Sequence, residues 1–186
     1  MLKTIIKIFE KILFGLFIIL IIIFGYYIIQ RVTNKDKPAK MFGYYLYEVS
    51  SWSMYNEESE HSLSKGDLIF VKKLKDDEYQ VGMVVTYDTG NNIPTTHMII
   101  DRSGNTITTQ GINKEGNTSS DAPFDVSKII GEVKGVYRNY RSHMNFITSP
   151  LGIILVLGIG FIIIEGTTII NKKLNKNNDN KELKEE

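Results

Sequence analysis

The chain is 186 residues long, about the size of one domain, and its 22 Lys and Arg against 21 Asp and Glu leave a net charge of +1. So even a balance argues against nucleic acid as a partner, because phosphate binding draws on a basic surplus. Cysteine is absent and only His61, His97 and His143 represent histidine. This excludes a disulfide framework, a thiol nucleophile and a Cys-ligated zinc, and it argues against a multi-histidine metal centre.

Residues 1–11 form a short N-terminus carrying Lys3, Lys7 and Lys11, followed by ILFGLFIILIIIFGYYII at 12–29, 18 residues without a charge. As a helix that run is about 27 Å long, close to a hydrocarbon core of ~30 Å. Tyr26 and Tyr27 suit the interface at one end of it. The run is longer than the apolar part of a cleaved leader, and Gln30-Arg31-Val32-Thr33-Asn34 follows it rather than small residues of the A-x-A kind. It therefore reads as an uncleaved anchor.

Residues 30–145 read as an all-β soluble domain. KDKPAKMFG at 35–43 reads as its linker. Six runs rich in Val, Ile, Thr and Tyr follow, at 44–49, 67–74, 82–88, 97–101, 106–110 and 128–137. Turn-forming clusters separate them: Lys65-Gly66, Asp76-Asp77, Gly90-Asn91-Asn92 and Ser103-Gly104-Asn105. Asp67 reads as a turn acid hydrogen-bonded to nearby backbone. No window shows a sustained helical period. A second uncharged run of 19 residues, 146–164, has Pro150 in its first turns and meets Glu165, so 146–165 reads as a second span. Residues 166–186 read as a polar tail, of which NKKLNKNNDNKELKEE at 171–186, mixed in charge, reads as disordered. Two spans put both termini on one side of the bilayer. Of the basic residues flanking the spans, eight lie on one side (three before the first span, five after the second) and eight on the other (four after the first, four before the second), so charge alone does not choose the side.

In the β region the chain carries Ser51-Trp52-Ser53-Met54, then GDLIFV (66–71), VGMVVTY (81–87), TTHMII (95–100), and TQG (109–111) with Asp121. In this order the segments resemble the type I signal peptidases, in the ER-type branch also found in some Gram-positive bacteria and archaea. Those enzymes read S-x-S-M-x-P, G-D-h-h-h-V, V-G-D-V-V-T-Y/F, T-H-R-I and T-K/Q-G-D-N…D. The resemblance covers roughly residues 45–135, the N-terminal anchor and, for this subgroup, the second span. It implies the signal peptidase/LexA-like β fold flanked by two transmembrane helices. It also implies Ser53 as nucleophile, His97 as general base, Asp121 as the orienting acid, and the Ser51 hydroxyl with the Ser53 N–H as oxyanion donors.

That constellation also makes chemical sense by itself. A hydroxyl needs a neighbouring base to attack at neutral pH, imidazole titrates near that range, a carboxylate on the other ring nitrogen fixes the tautomer, and the oxyanion needs donors already in place. The chain departs from the family pattern at Trp52, Asn56, Met83, Met98 and Ile112, and the stretch from Gly111 to Asp121 is about three residues longer than usual. Asp125 and Asp101 therefore stand as alternatives for the acid. Lys72 and Lys73 are the alternatives for the base, although the lysine branch of these enzymes places its lysine where His97 stands.

The resemblance implies a membrane-bound serine endopeptidase that needs no cofactor or metal. It would cut signal peptides, with small residues at the first and third positions before the bond, from exported precursors. The domain at 30–145 would then be extracytoplasmic and both termini cytoplasmic. The rival reading is a non-catalytic assembly factor of the same fold, binding extended peptides of surface or pilus proteins. A LexA-like self-cleaving regulator would share the β core, but the chain has no DNA-binding segment and such a regulator needs no membrane spans.

Overall fold

A computed structural model of the chain describes residues 2–33, 38–90, 93–116 and 119–182. Helix α1 covers Leu2–Thr33. It is followed by strands β1 (Ala39–Met41), β2 (Tyr44–Glu48), β3 (Leu68–Lys72), β4 (Val84–Tyr87), β5 (Thr95–Ser103), β6 (Thr106–Gln110), β7 (Phe124–Asp125) and β8 (Ile129–Tyr137). Helices α2 (Tyr140–Thr148) and α3 (Pro150–Glu182) come last. Contacts divide the chain into two compact units, Ile29–Met144, and Met1–Ile28 with Asn145–Glu186.

The Ile29–Met144 unit is the β domain that the alternating runs predict. Its strands form one sheet in the order β1-β2-β3-β8-β4-β5-β6-β7, and every described pairing is antiparallel. The last strand is thus inserted between the third and the fourth. It fits there because Gly131 lacks a side chain: a Cβ at that position would stand 2.5 Å from the Lys72 carbonyl oxygen.

Core residues cover both faces of the sheet. Val85, Tyr87, Ile99, Ile107, Val126 and Ile129 pack around Tyr79 on one face. Met54, Leu63, Ile69, Val71 and Val84 pack on the other, joined by the half-buried Met98 and Ile112. Neighbouring residues of a strand point to opposite faces, so all four residues of β4 are buried. That is why its VVTY reads as a continuous apolar run and not as an alternation.

Asp67, 1% exposed, ties the start of β3 to the end of β8. Its carboxylate accepts from Ser64 N–H at 2.9 Å, Arg138 Nη1 at 2.8 Å and Asn139 N–H at 2.9 Å. The expected turn acid therefore also bridges to a distant strand. Asp67→Ala would leave two backbone donors without an acceptor and Arg138 without its partner. We expect it to lower the unfolding free energy by about 3 kcal/mol, read by denaturant unfolding. A loss below about 1 kcal/mol would mean that water replaces the carboxylate without cost.

Three expectations are corrected. The linker reading of 35–43 fails at Ala39–Met41, which is β1, and Phe42-Gly43 closes its hairpin to β2 with φ of +51° and +85°. Lysines and a preceding proline made it look like a linker, but an edge strand tolerates both. Residues 35–37 lie outside the described residues, as do Asn91 and Asn92 of one expected turn. The tail is helical to Glu182, because extending an existing helix adds a hydrogen bond per residue without a new nucleus. Residues 183–186 are not described.

The third correction concerns the second span. Within α1, Lys11–Gln30 is long and apolar enough to cross a membrane, and none of it is buried in the structure. The expected span at 146–165 is instead broken at Ser149, where α2 and the Pro150–Ile162 part of α3 meet at 76°, so that it qualifies only if the bent pair is taken together. Ser149 caps the new helix. Its Oγ accepts from Gly152 N–H at 3.1 Å, with Pro150 at the first helical position, where its missing N–H is not needed. Gly152 also permits this bend, since a Cβ there would overlap the Phe146 carbonyl oxygen at 1.9 Å.

Candidate active site

His97 lies on β5, paired with Val85 of β4, and only 6% of it is exposed. Its side chain leaves the strand on the face of Val85 and Ile99. Its Nδ1 stands 2.6 Å from Oδ2 of Asp121. Asp121 follows β6 and is seated by its own backbone, whose N–H donates to the Thr109 carbonyl at 2.8 Å. Two more side chains reach the same Oδ2: Thr109 Oγ1 donates at 2.6 Å and the Tyr87 hydroxyl at 2.9 Å. Tyr87 and Thr109 are the diagonal neighbours of His97 on β4 and β6, since Tyr87 pairs with Thr95 and Thr109 with Ile99. One carboxylate oxygen thus gathers three donors from three adjacent strands.

The electrostatics follow from this geometry. Burial by itself raises the Asp121 carboxyl pKa, but the hydrogen bonds from His97, Thr109 and Tyr87 outweigh it and hold the group below the usual carboxylate value. Burial pushes the Tyr87 hydroxyl up to about 12; the bond with Thr109 opposes this and that with Asp121 adds to it. Tyr87 therefore stays protonated and donates throughout the working range. The folded Asp121 binds its proton more weakly than the unfolded one. Its contribution to stability is thus complete above the unfolded value of about 3.9 and disappears as pH falls through the lower folded value. The stability lead of wild type over Asp121→Asn is expected to narrow below about pH 4, measured by thermal melts across pH. A lead that stays constant down to pH 2 would contradict the assignment.

The Ser53 turn leaves β2 and buries Met54 in the other core face. The Ser53 hydroxyl bonds to Ser51 Oγ at 3.1 Å. Both serines line a cleft of about 380 Å³ together with Tyr47, Val49, Thr86, Pro94 and Thr96. On the far side of the turn, Asn113 donates its backbone N–H to the Ser53 carbonyl at 3.0 Å and its Nδ2 to the Trp52 carbonyl at 2.9 Å.

The structure brings His97 to Asp121 and Ser51 to Ser53, and no hydrogen bond joins the two pairs. Thr96 faces the cleft beside Ser53, whereas His97 faces the opposite way from the strand. The competing residues lie elsewhere. Asp125 is exposed and caps a short turn by accepting from Ser127 N–H at 2.9 Å, and Asp101 is exposed. Lys73 Nζ donates to the Ile129 carbonyl at 2.6 Å, and Lys72 Nζ lies 6.0 Å from the Tyr44 ring centroid. His61 is exposed beside Glu60, and His143 is exposed against Tyr137. Among the described residues, no group of His, Asp and Glu is arranged to hold a metal.

Tyr87, Thr109 and Asn113 were not singled out from the sequence. Tyr87 and Thr109 sit inside the motif segments and Asn113 lies two residues beyond Gly111, but their roles depend on how the strands and loops are brought together. Compared with known proteins, the chain matches no described family and no curated protein.

Proposed function

We propose that the chain is a membrane-anchored serine endopeptidase that removes signal peptides from exported precursors, similar in its site to the ER-type signal peptidases. The observation that supports this most is the Asp121–His97 pair, an imidazole held by a carboxylate that is itself fixed by Thr109 and Tyr87. Such an arrangement sets the tautomer and stabilises the imidazolium that forms when a hydroxyl is deprotonated. Ser53 is the nucleophile. Catalysis then requires its hydroxyl to leave Ser51 for the free ring nitrogen of His97. Because His97 leaves β5 on the face opposite the cleft, substrate binding must bring the Ser53 turn round to it, a change of local conformation and not only the tightening of a long hydrogen bond.

An extended peptide fits the cleft between Tyr47–Ser51 and Ile93–Thr96. Along β2 the pairing with β1 ends at Leu46 among the described residues, and along β5 the pairing with β6 begins only at Met98. Both flanking segments therefore offer backbone groups for strand addition. The anchor α1 holds the site at the bilayer, where emerging apolar leaders are concentrated. In this reading the chain is multi-pass, with the bent α2–α3 pair as its second crossing and the β domain outside the cytoplasm.

One observation favours the rival reading, a peptide-binding assembly factor without catalysis: Ser53 bonds to Ser51 and not to His97. Membranes containing the full chain, incubated with a labelled precursor, separate the two. The proposal expects a single cut after the leader, and protease added to spheroplasts should reach residues 38–144 while sparing the tail. Stoichiometric peptide binding with no cut would establish the rival.

A further inference from the structure

We infer that Asn113 is a positioning residue, aiming the Ser53 N–H into the place where the oxyanion forms; this rests on the peptidase reading above. The peptide unit between Trp52 and Ser53 is trans, so its C=O and N–H point in opposite directions. The Trp52 carbonyl receives Asn113 Nδ2 at 2.9 Å, and also Tyr55 N–H at 2.9 Å within the turn. The Ser53 N–H must then point away from Asn113.

The next unit repeats the arrangement. The Ser53 carbonyl receives the Asn113 backbone N–H at 3.0 Å, so the Met54 N–H also points away from it. Neither the Ser53 nor the Met54 N–H meets an acceptor among the described residues. Asn113, sharing the Trp52 carbonyl with Tyr55 N–H, thus holds two successive peptide units so that both leave a free donor on the side opposite to itself. Successive N–H groups held in this way form a concave site for a negative oxygen.

The orientation of the Asn113 amide is itself fixed. Its Oδ1 accepts from Glu115 N–H at 2.9 Å, leaving Nδ2 to face Trp52. The loop that carries it is fastened to the nucleophile segment a second time, by Lys114 Nζ on Glu58 Oε2 at 2.5 Å. That ion pair is exposed on both sides and contributes little. Asn113 therefore carries the alignment.

The test uses full-length protein in membranes, with a precursor, a matched uncleavable peptide and a peptide aldehyde as probes. The aldehyde adds to Ser53: the Ser53 Oγ–carbon bond forms, the carbonyl π pair moves to oxygen, and the serine proton passes to His97. Asn113→Ala and Asn113→Asp both remove the side-chain donor and keep the backbone one. We expect kcat to fall about 10² to 10³-fold with KM within threefold, and aldehyde affinity to fall by the same factor as kcat. Affinity for the uncleavable peptide should stay unchanged, because a donor aimed at the oxyanion acts on the transition state and not on the ground state. Asn113→Gln, which keeps an amide, should recover part of the loss.

If the variants weaken aldehyde and uncleavable peptide alike, or lose activity only in step with thermal stability, Asn113 is a structural strut and the inference fails while the peptidase reading stands. Unchanged kcat in Asn113→Ala also overturns it. A wild-type protein that binds the peptide but neither cleaves the precursor nor takes up the aldehyde overturns both.

Discussion

Alanine in place of Ser53 is expected to lower kcat for precursor cleavage by about 10⁶, the size of loss that follows removal of the nucleophile from a Ser–His–Asp unit. Folding should be untouched, because the Ser53 hydroxyl bonds only to the exposed Ser51. His97→Ala should cost about as much, and the double variant no more than either single one, since members of a triad fail as a unit. That last comparison is the demanding part. In the free protein Ser53 and His97 belong to separate hydrogen-bonded pairs. If the two losses multiply in the double variant, the pairs do not act together. If Ser53→Ala cuts the precursor as fast as wild type, no serine mechanism operates at this cleft.

Asp121→Asn is expected to cost about 10⁴ in kcat, whereas Asp125→Asn should stay within threefold of wild type. The contrast follows from position. Asp121 Oδ2 is the group on His97, 2.6 Å from Nδ1, while the Asp125 side chain bonds to the side chain and backbone N–H of Ser127, a capping role that asparagine fills equally well. Single-turnover cleavage by the two variants, each checked for an unchanged melting profile, settles the matter. A loss at Asp125 with activity kept at Asp121 would mean that the bond seen here is not the productive one.

The two carboxylates also show what the sequence made legible and what it did not. Strands with alternating or branched residues were legible: TITTQ at 106–110 coincides with β6, four other runs each contain a strand, and 97–101 lies within the longer β5. β1 and β7, three and two residues long, were not. Strands so short owe their pairing to their neighbours and carry no pattern of their own. Nor was α2, whose YRSHMNFIT holds few apolar residues. The break at Ser149 was hidden because hydropathy measures composition along the chain and carries no information about direction.

At the site, a linear motif could place Asp121 near His97. It could not reveal that Thr109 and Tyr87 share the same oxygen, because that depends on register across three strands. Ile112 had removed one competing acid, but only the Thr109 carbonyl, which holds the Asp121 backbone, shows why the longer loop still delivers this carboxylate and not Asp125.

The place of β8 in the sheet bears on when such a protein could become active. The Ser53 turn lies between β2 and β3, and His97 and Asp121 lie on β5 and just after β6. Among the described residues, all the sheet hydrogen bonds joining β1–β3 to β4–β7 run through β8. The two halves are therefore without a shared ladder until residues 129–137 have been synthesised. Pairing at such sequence separation is also slow to form. A nascent chain would thus hold the Ser53 turn and the His97–Asp121 pair on separate halves of the sheet, with no ladder between them, until β8 had emerged and paired with both β3 and β4.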